Sequence, residues 1–147
     1  MNEDVRRAVA ARILGDNAAT GGSLFSLGLP LYRGGLAVLS QSRIPEDVRP
    51  PFILVGAPFA ATDADSKTRI GNTENLDVTV IDYENAKTPP ARIDRLARRV
   101  RYLLHRGSIE ITGHESIIMR AGSPIEGEAG EGLASRVIGL TIRTQEN

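Results

Sequence analysis

The apolar period of the chain changes from two to the helical 3.6 within its central part, and that change restricts the fold more than any other feature. From Leu76 to Tyr83 the residues alternate. Leu76, Val78 and Val80 fall on one face of an extended chain, and Asp77, Thr79, Ile81 and Tyr83 on the other. Both faces carry apolar groups at the far end, the pattern of a central strand. Downstream, Ile93, Leu96, Ala97, Val100 and Leu104 recur at helical spacing and form one buried stripe. Thr88 is placed to cap that helix, Pro89 and Pro90 suit its first turn, and Gly107 ends it. Upstream, Phe52 to Val55 is a continuous apolar run, the signature of a buried strand. A strand pair and a helix on one layer is therefore the nucleus of the expected fold.

The remaining segments extend this nucleus. Residues 3–14 read as a helix capped by Asn2 or Asp4, with Val5, Ala8, Val9 and Ile13 as its apolar stripe and Gly15 as its stop. The Gly-rich stretch 15–34 reads as a loop whose Leu24, Phe25, Leu27, Leu29 and Leu31 cover one edge of the core or enter a subunit contact. Leu36–Leu39 reads as a short strand, and 44–51 as a Pro-stiffened extended connection. Residues 57–73 have no apolar period and read as a long polar loop, a length that is uncommon unless the loop binds something or orders on assembly. Segments 108–120 and 134–144 are the last two strands, joined by a Gly/Glu-rich loop at 121–133. The order α-β-β-β-α-β-β predicts an α+β fold, a single domain with a mostly antiparallel sheet and two helices packed on one face.

Composition excludes several functional classes. The chain has 147 residues, the size of one domain with one core. Eighteen basic residues balance eighteen acidic ones, so there is no global attraction to nucleic acid or to a membrane surface. There is no cysteine, hence no disulfide framework and no thiolate metal site. No apolar run approaches the roughly 20 residues that span a bilayer, and Met1-Asn2-Glu3-Asp4 does not begin a signal peptide. The compartment expected from these facts is the cytoplasm or a particle assembled there. Three Phe, three Tyr and no Trp are few for a base-stacking platform.

No constellation with the spacing of an active site emerges. Asp63 and Asp65 suggest a hard-cation loop, but Lys67 and Thr68 occupy positions where such a loop needs an oxygen ligand and a glycine. A solvated loop is the better reading. His105 ends a helix, where an imidazolium is favoured by the dipole, and His114 reads as part of a kink or bulge beside Gly113. Neither has companions for a triad or a metal site. Gly21-Gly22 and Gly34-Gly35 lie outside any phosphate-loop pattern and read as turn glycines. The densest chemistry is basic: Arg92, Arg95, Arg98, Arg99, Arg101 and Arg106 crowd the second helix. They read as a protein interface or as a solvated face, ahead of a phosphate-binding face, because arginine pairs carboxylates bidentately. Glu126, Glu128 and Glu131 would be partners for Arg95, Arg98 and Arg99 from another subunit.

The order of parts resembles the tail terminator (tail-completion) family of long-tailed bacteriophages. The residues that carry the resemblance are the N-terminal helix, the strand Pro50-Pro51-Phe52-Ile53-Leu54-Val55 with the polar loop after it, the strand Leu76-Asp77-Val78-Thr79-Val80-Ile81-Asp82, the helix from Thr88 to Arg106 and the terminal hairpin. The resemblance implies a virion protein of the tail or neck, assembled in the host cytoplasm. It implies a subunit of a hexameric ring that caps the tail-tube protein, stops tube polymerisation and meets the neck or connector protein. DNA would pass through the lumen as cargo, with no catalysis, no cofactor, no metal and no membrane contact. Thr62, Asp63, Asp65, Lys67 and Arg69 would form the loop that reaches the tube or a neighbouring subunit. Two alternatives stay open: another neck component such as a head-completion or adaptor protein, and a small nucleic-acid-binding protein that uses the arginine helix.

Overall fold

The computed structural model describes residues 2–16, 23–40, 44–56, 59–60, 71–84, 92–105, 107, 114–127, 130 and 132–146. Helix α1 (Asn2–Leu14) is followed by the short strands β1 (Leu31–Tyr32), β2 (Gly35–Leu36) and β3 (Val38–Leu39). Then come β4 (Phe52–Val55), β5 (Phe59–Ala60), β6 (Gly71–Tyr83), helix α2 (Arg92–Leu104), β7 (His114–Ala121), β8 (Ile125–Gly127) and β9 (Leu133–Glu146). The main sheet runs in the order β3-β4-β6-β9-β7, with β5 also paired to β6 and β8 to β9. Every described pairing is antiparallel except that of β3 with β4. The fold is α+β in the expected order.

The register explains how one face became the core. Leu76 sits opposite Leu140 and Val78 opposite Ile138, while Ile53 and Val55 pair with Val80 and Val78. Across β7, Met119 meets Ile142. All of these are buried, together with Ile93, Leu96, Ala97, Val100 and Leu104 of α2 and Val5, Val9 and Ile13 of α1. Asp77, Thr141 and Arg143, one residue out of phase on their strands, are exposed. A sheet with one covered face reads in this way because side chains alternate along each strand.

Several expectations needed revision. The polar segment 57–73 contains β5 and the first residues of β6, where Gly71, Asn72 and Thr73 pair with Gln145, Thr144 and Arg143 of β9. Those residues are polar on both faces, so no alternation marked them. The Gly/Glu loop contains β8, whose Ile125, Glu126 and Gly127 pair with Val137, Arg136 and Ser135. The strand at 36–39 is interrupted at Ala37, which is wholly buried and whose carbonyl accepts the Ile53 N–H at 2.9 Å. In α1, Ala10 lies in the core and Ala8 only partly, and Arg6 is buried. The irregularity in β7 falls between Ser116 and Ile118, while His114 pairs regularly with Glu146. Thr88, Pro89 and Pro90 lie outside the described residues.

Leu24 and Leu29, from the Gly-rich stretch, enter the core beside α2. Between them Gly28 turns with φ 113°, and a Cβ there would stand 2.7 Å from Cδ of Arg92. Both the backbone and the contact require glycine. Gly28→Ala is expected to cost roughly 1–3 kcal/mol, read as a lower midpoint in thermal unfolding by about 2–4 °C per kcal/mol. Gly34→Ala is its control for backbone strain alone. Gly34 also has positive φ, at 87°, but nothing lies within 4 Å of its added Cβ.

Candidate functional site

The arginines of α2 are divided by the helix into three groups. Arg92 and Arg99, two turns apart on one flank, point back into the molecule. Arg92 donates from Nε to Oδ2 of Asp82 at 2.7 Å and from a terminal nitrogen to Oδ1 at 2.6 Å. The Asp82 side chain is 0% exposed and its Oδ1 also accepts the Tyr83 N–H. Arg99 makes the same two-pronged contact with Asp16, at 3.0 and 2.5 Å. The Asp16 side chain is 1% exposed and accepts the Leu24 N–H at 2.8 Å. The carboxylate bond raises each guanidinium pKa, more than desolvation lowers it. Paired arginine forks of this kind are strong because donor and acceptor geometries match.

The second group lies on the opposite flank. Arg101 donates from Nε to the Gly122 carbonyl at 3.2 Å. Asp94 accepts from Nε of Arg136 at 2.9 Å, and Arg136 stands 3.8 Å from Glu126 on β8. His105 Nδ1 accepts the Ala121 N–H at 3.1 Å. The contact ties the end of α2 to β7. The C-terminal carbonyls of α2 are also served from α1, where Arg12 donates to Leu103 O at 2.5 Å. Arg6 of α1 donates to Val55 O at 2.8 Å. These are satisfied backbone acceptors at a helix end and a strand end.

The third group, Arg95 and Arg98, is exposed and makes no ion pair with a described residue. Tyr102 follows them on the same outward stripe and is 71% exposed, with the Arg99 guanidinium 5.0 Å from its ring centroid. Of the proposed partner acids, Glu126 is exposed on β8, and Glu128 and Glu131 lie outside the described residues. Thr62, Asp63, Asp65, Lys67 and Arg69 lie outside them too. The ends of that loop belong to one antiparallel ladder, with Ala60 opposite Glu74.

The open face of the sheet carries a groove of about 410 Å³ lined by Asn75, Asp77, Arg120, Gly139 and Thr141 among others. His105 also lines it, and the Thr141 hydroxyl donates to Asn75 at 2.9 Å. Within the same residues no group of three or more His, Cys, Asp or Glu could hold a metal ion. No described helix is long and apolar enough to cross a membrane.

Sequence reasoning missed Asp16, Asp82 and Tyr102. Asp82 had a signal, an acid in phase with the apolar face of Leu76, Val78 and Val80. Asp16 had none, since its partner is 83 residues away.

The chain is similar in structure to a chain of a solved assembly described as "Virion of native gene transfer agent (GTA) particle". The match covers 96% of this chain and 94% of that one with a TM-score of 0.72 at 16% identity, a likeness of fold. A second solved structure covers 100% of this chain and 96% of its own at 15% identity, with a TM-score of 0.47, and supports no argument. No family model and no curated protein matches the sequence.

Proposed function

We propose that the chain is a structural protein of a phage-like virion, acting as a tail terminator. In this reading it forms a ring that caps the tail tube, ends tube polymerisation and joins the tail to the neck, with DNA passing through the lumen. The observation that carries the reading is the end-to-end likeness of fold to a chain of a gene transfer agent virion. The resemblance in element order points the same way. The loop carrying Thr62, Asp63, Asp65, Lys67 and Arg69 would contact the tube or a neighbouring subunit. A small subunit with unlike surfaces suits a head-to-tail ring closed by rotation.

The test is native mass spectrometry and negative-stain imaging of the purified chain, alone and with tail tubes. The expected result is a closed ring that binds tube ends. A strict monomer that ignores tubes would overturn the proposal. Pull-down against tube protein and against portal protein separates a terminator from a head-side adaptor: capture by portal alone would move the protein to the other side of the neck.

A further inference from the structure

The geometry points to the outward face of α2, centred on Tyr102 and flanked by Arg95 and Arg98, as a docking surface for an acidic segment of a second copy of this chain, the stretch that begins at Glu126. This rests on the assembly reading above and names the surfaces that would meet.

The first argument is preorganisation. Tyr102 is the most exposed large apolar or aromatic side chain among the described residues. Its ring is held by Arg99, Arg99 is clamped on the buried Asp16, and Asp16 is fixed by the Leu24 N–H. An exposed aromatic that is already ordered loses little conformational freedom on docking. Tyrosine and arginine are also the residue types that dominate interface energies.

The second argument is charge. Asp94 is the one acid within α2, and Arg136 engages it. Asp16, at the end of the neighbouring α1, is occupied by Arg99. Arg95 and Arg98 are exposed and pair with no described acid. The whole chain is nonetheless neutral, so acids elsewhere in it balance these cations. Glu126, Glu128 and Glu131 are three of them, interleaved with Gly127, Gly130 and Gly132. Glu126 is 84% exposed and touches Arg136 only loosely, at 3.8 Å. Nucleic acid is a poorer occupant, because Arg92, Arg99, Arg101 and Arg136 are already engaged and two exposed arginines neutralise few phosphates.

The experiment uses sedimentation velocity and native mass spectrometry on the full chain over a concentration series. One variant carries Arg95→Glu and Arg98→Glu, a second Glu126→Arg, Glu128→Arg and Glu131→Arg, and a third Tyr102→Ala. The expected result is that each charge-reversed chain alone fails to assemble and that an equimolar mixture of the two assembles. Tyr102→Ala is expected to weaken assembly about thirtyfold or more. Rescue in the mixture shows that both reversed chains fold. If wild type assembles and the reversed chains assemble equally well, the docking surface is wrong while the ring reading survives. If wild type stays monomeric, both fall. A concentration-independent loss of stability in the reversed chains, with no rescue on mixing, would place the acids against α2 of their own chain and overturn the proposal. Salt-sensitive binding of a DNA duplex, lost in the Arg95→Glu, Arg98→Glu chain with assembly unchanged, would also overturn it.

Discussion

Arg92→Met is expected to destabilise the protein by about 3–5 kcal/mol, because it leaves the carboxylate of Asp82 buried without its counter-ion. Asp82 is fully enclosed and keeps one described partner after the change, the Tyr83 N–H. Arg92 itself is partly exposed, so the opposite change is gentler. Asp82→Asn lets the guanidinium turn to water and removes the buried charge at once. The double variant Arg92→Met, Asp82→Asn is expected to recover much of the loss, since removing both charges avoids the isolated buried ion. Urea unfolding of the four proteins completes the cycle. A loss below about 1 kcal/mol for Arg92→Met would mean that Asp82 finds other donors or water, and the clamp would then be incidental. Arg95→Met, on the exposed stripe of the same helix, is the matched control and is expected within about 0.5 kcal/mol of wild type.

The contrast between those two arginines also marks how far the sequence could be read. The buried stripe of α2, Ile93, Leu96, Ala97, Val100 and Leu104, was legible because burial on a helix imposes a period that needs no knowledge of the partner. Phe52–Val55 was legible as an unbroken apolar run and β6 as an alternation of period two, neither of which needs knowledge of the partner. The destinations of the arginines were not, since the five cations of α2 look alike until their partners are placed (Arg106, read with them, lies outside the described residues). A weak signal did exist. Arg92 and Arg99 are seven residues apart and flank the buried Leu96, whereas Arg95, Arg98 and Tyr102 share the outer stripe. Arg6 inside the apolar stripe of α1 was hidden because its partner, the Val55 carbonyl, is a backbone atom 49 residues away. Strands β5 and β8 and the start of β6 were hidden because they are held by ladder hydrogen bonds to long neighbours. A two-residue strand such as β5, or a polar, Gly-containing stretch beside a well-formed strand, shows no apolar alternation of its own.

The candidate site divides in the same way. The positive charge of α2 was readable, and so was the acidic stretch at 126–131. That Arg99 serves as a strut under Tyr102, and is not itself free to meet a neighbour's carboxylate, depends on Asp16 lying beneath it. The surface left for a partner is consequently smaller and more defined than the whole arginine face.

Leu140→Ala is expected to cost about 2–5 kcal/mol, the range for emptying a large site in a packed interior. Leu140 is almost wholly buried and lies at the junction of three strands, opposite Leu76 on β6 and Ala121 on β7. Relaxation into the space is limited, because the cross-strand neighbours are fixed by ladders and Ala121 is too small to fill it. Arg143→Ala, three residues along the same strand but on the exposed face, is expected to change stability by no more than about 0.5 kcal/mol. At roughly 2–4 °C per kcal/mol the Leu140 variant should unfold several degrees or more below wild type while the Arg143 variant coincides with it. Equal effects at the two positions would mean that β9 is covered on both faces in solution. Because the isolated subunit leaves Arg143 exposed, that outcome would require a partner over the open face of the sheet. Repeating the comparison at the lowest protein concentration that still gives a transition would then separate the subunit's own core from a contact made by assembly, since only the latter weakens on dilution.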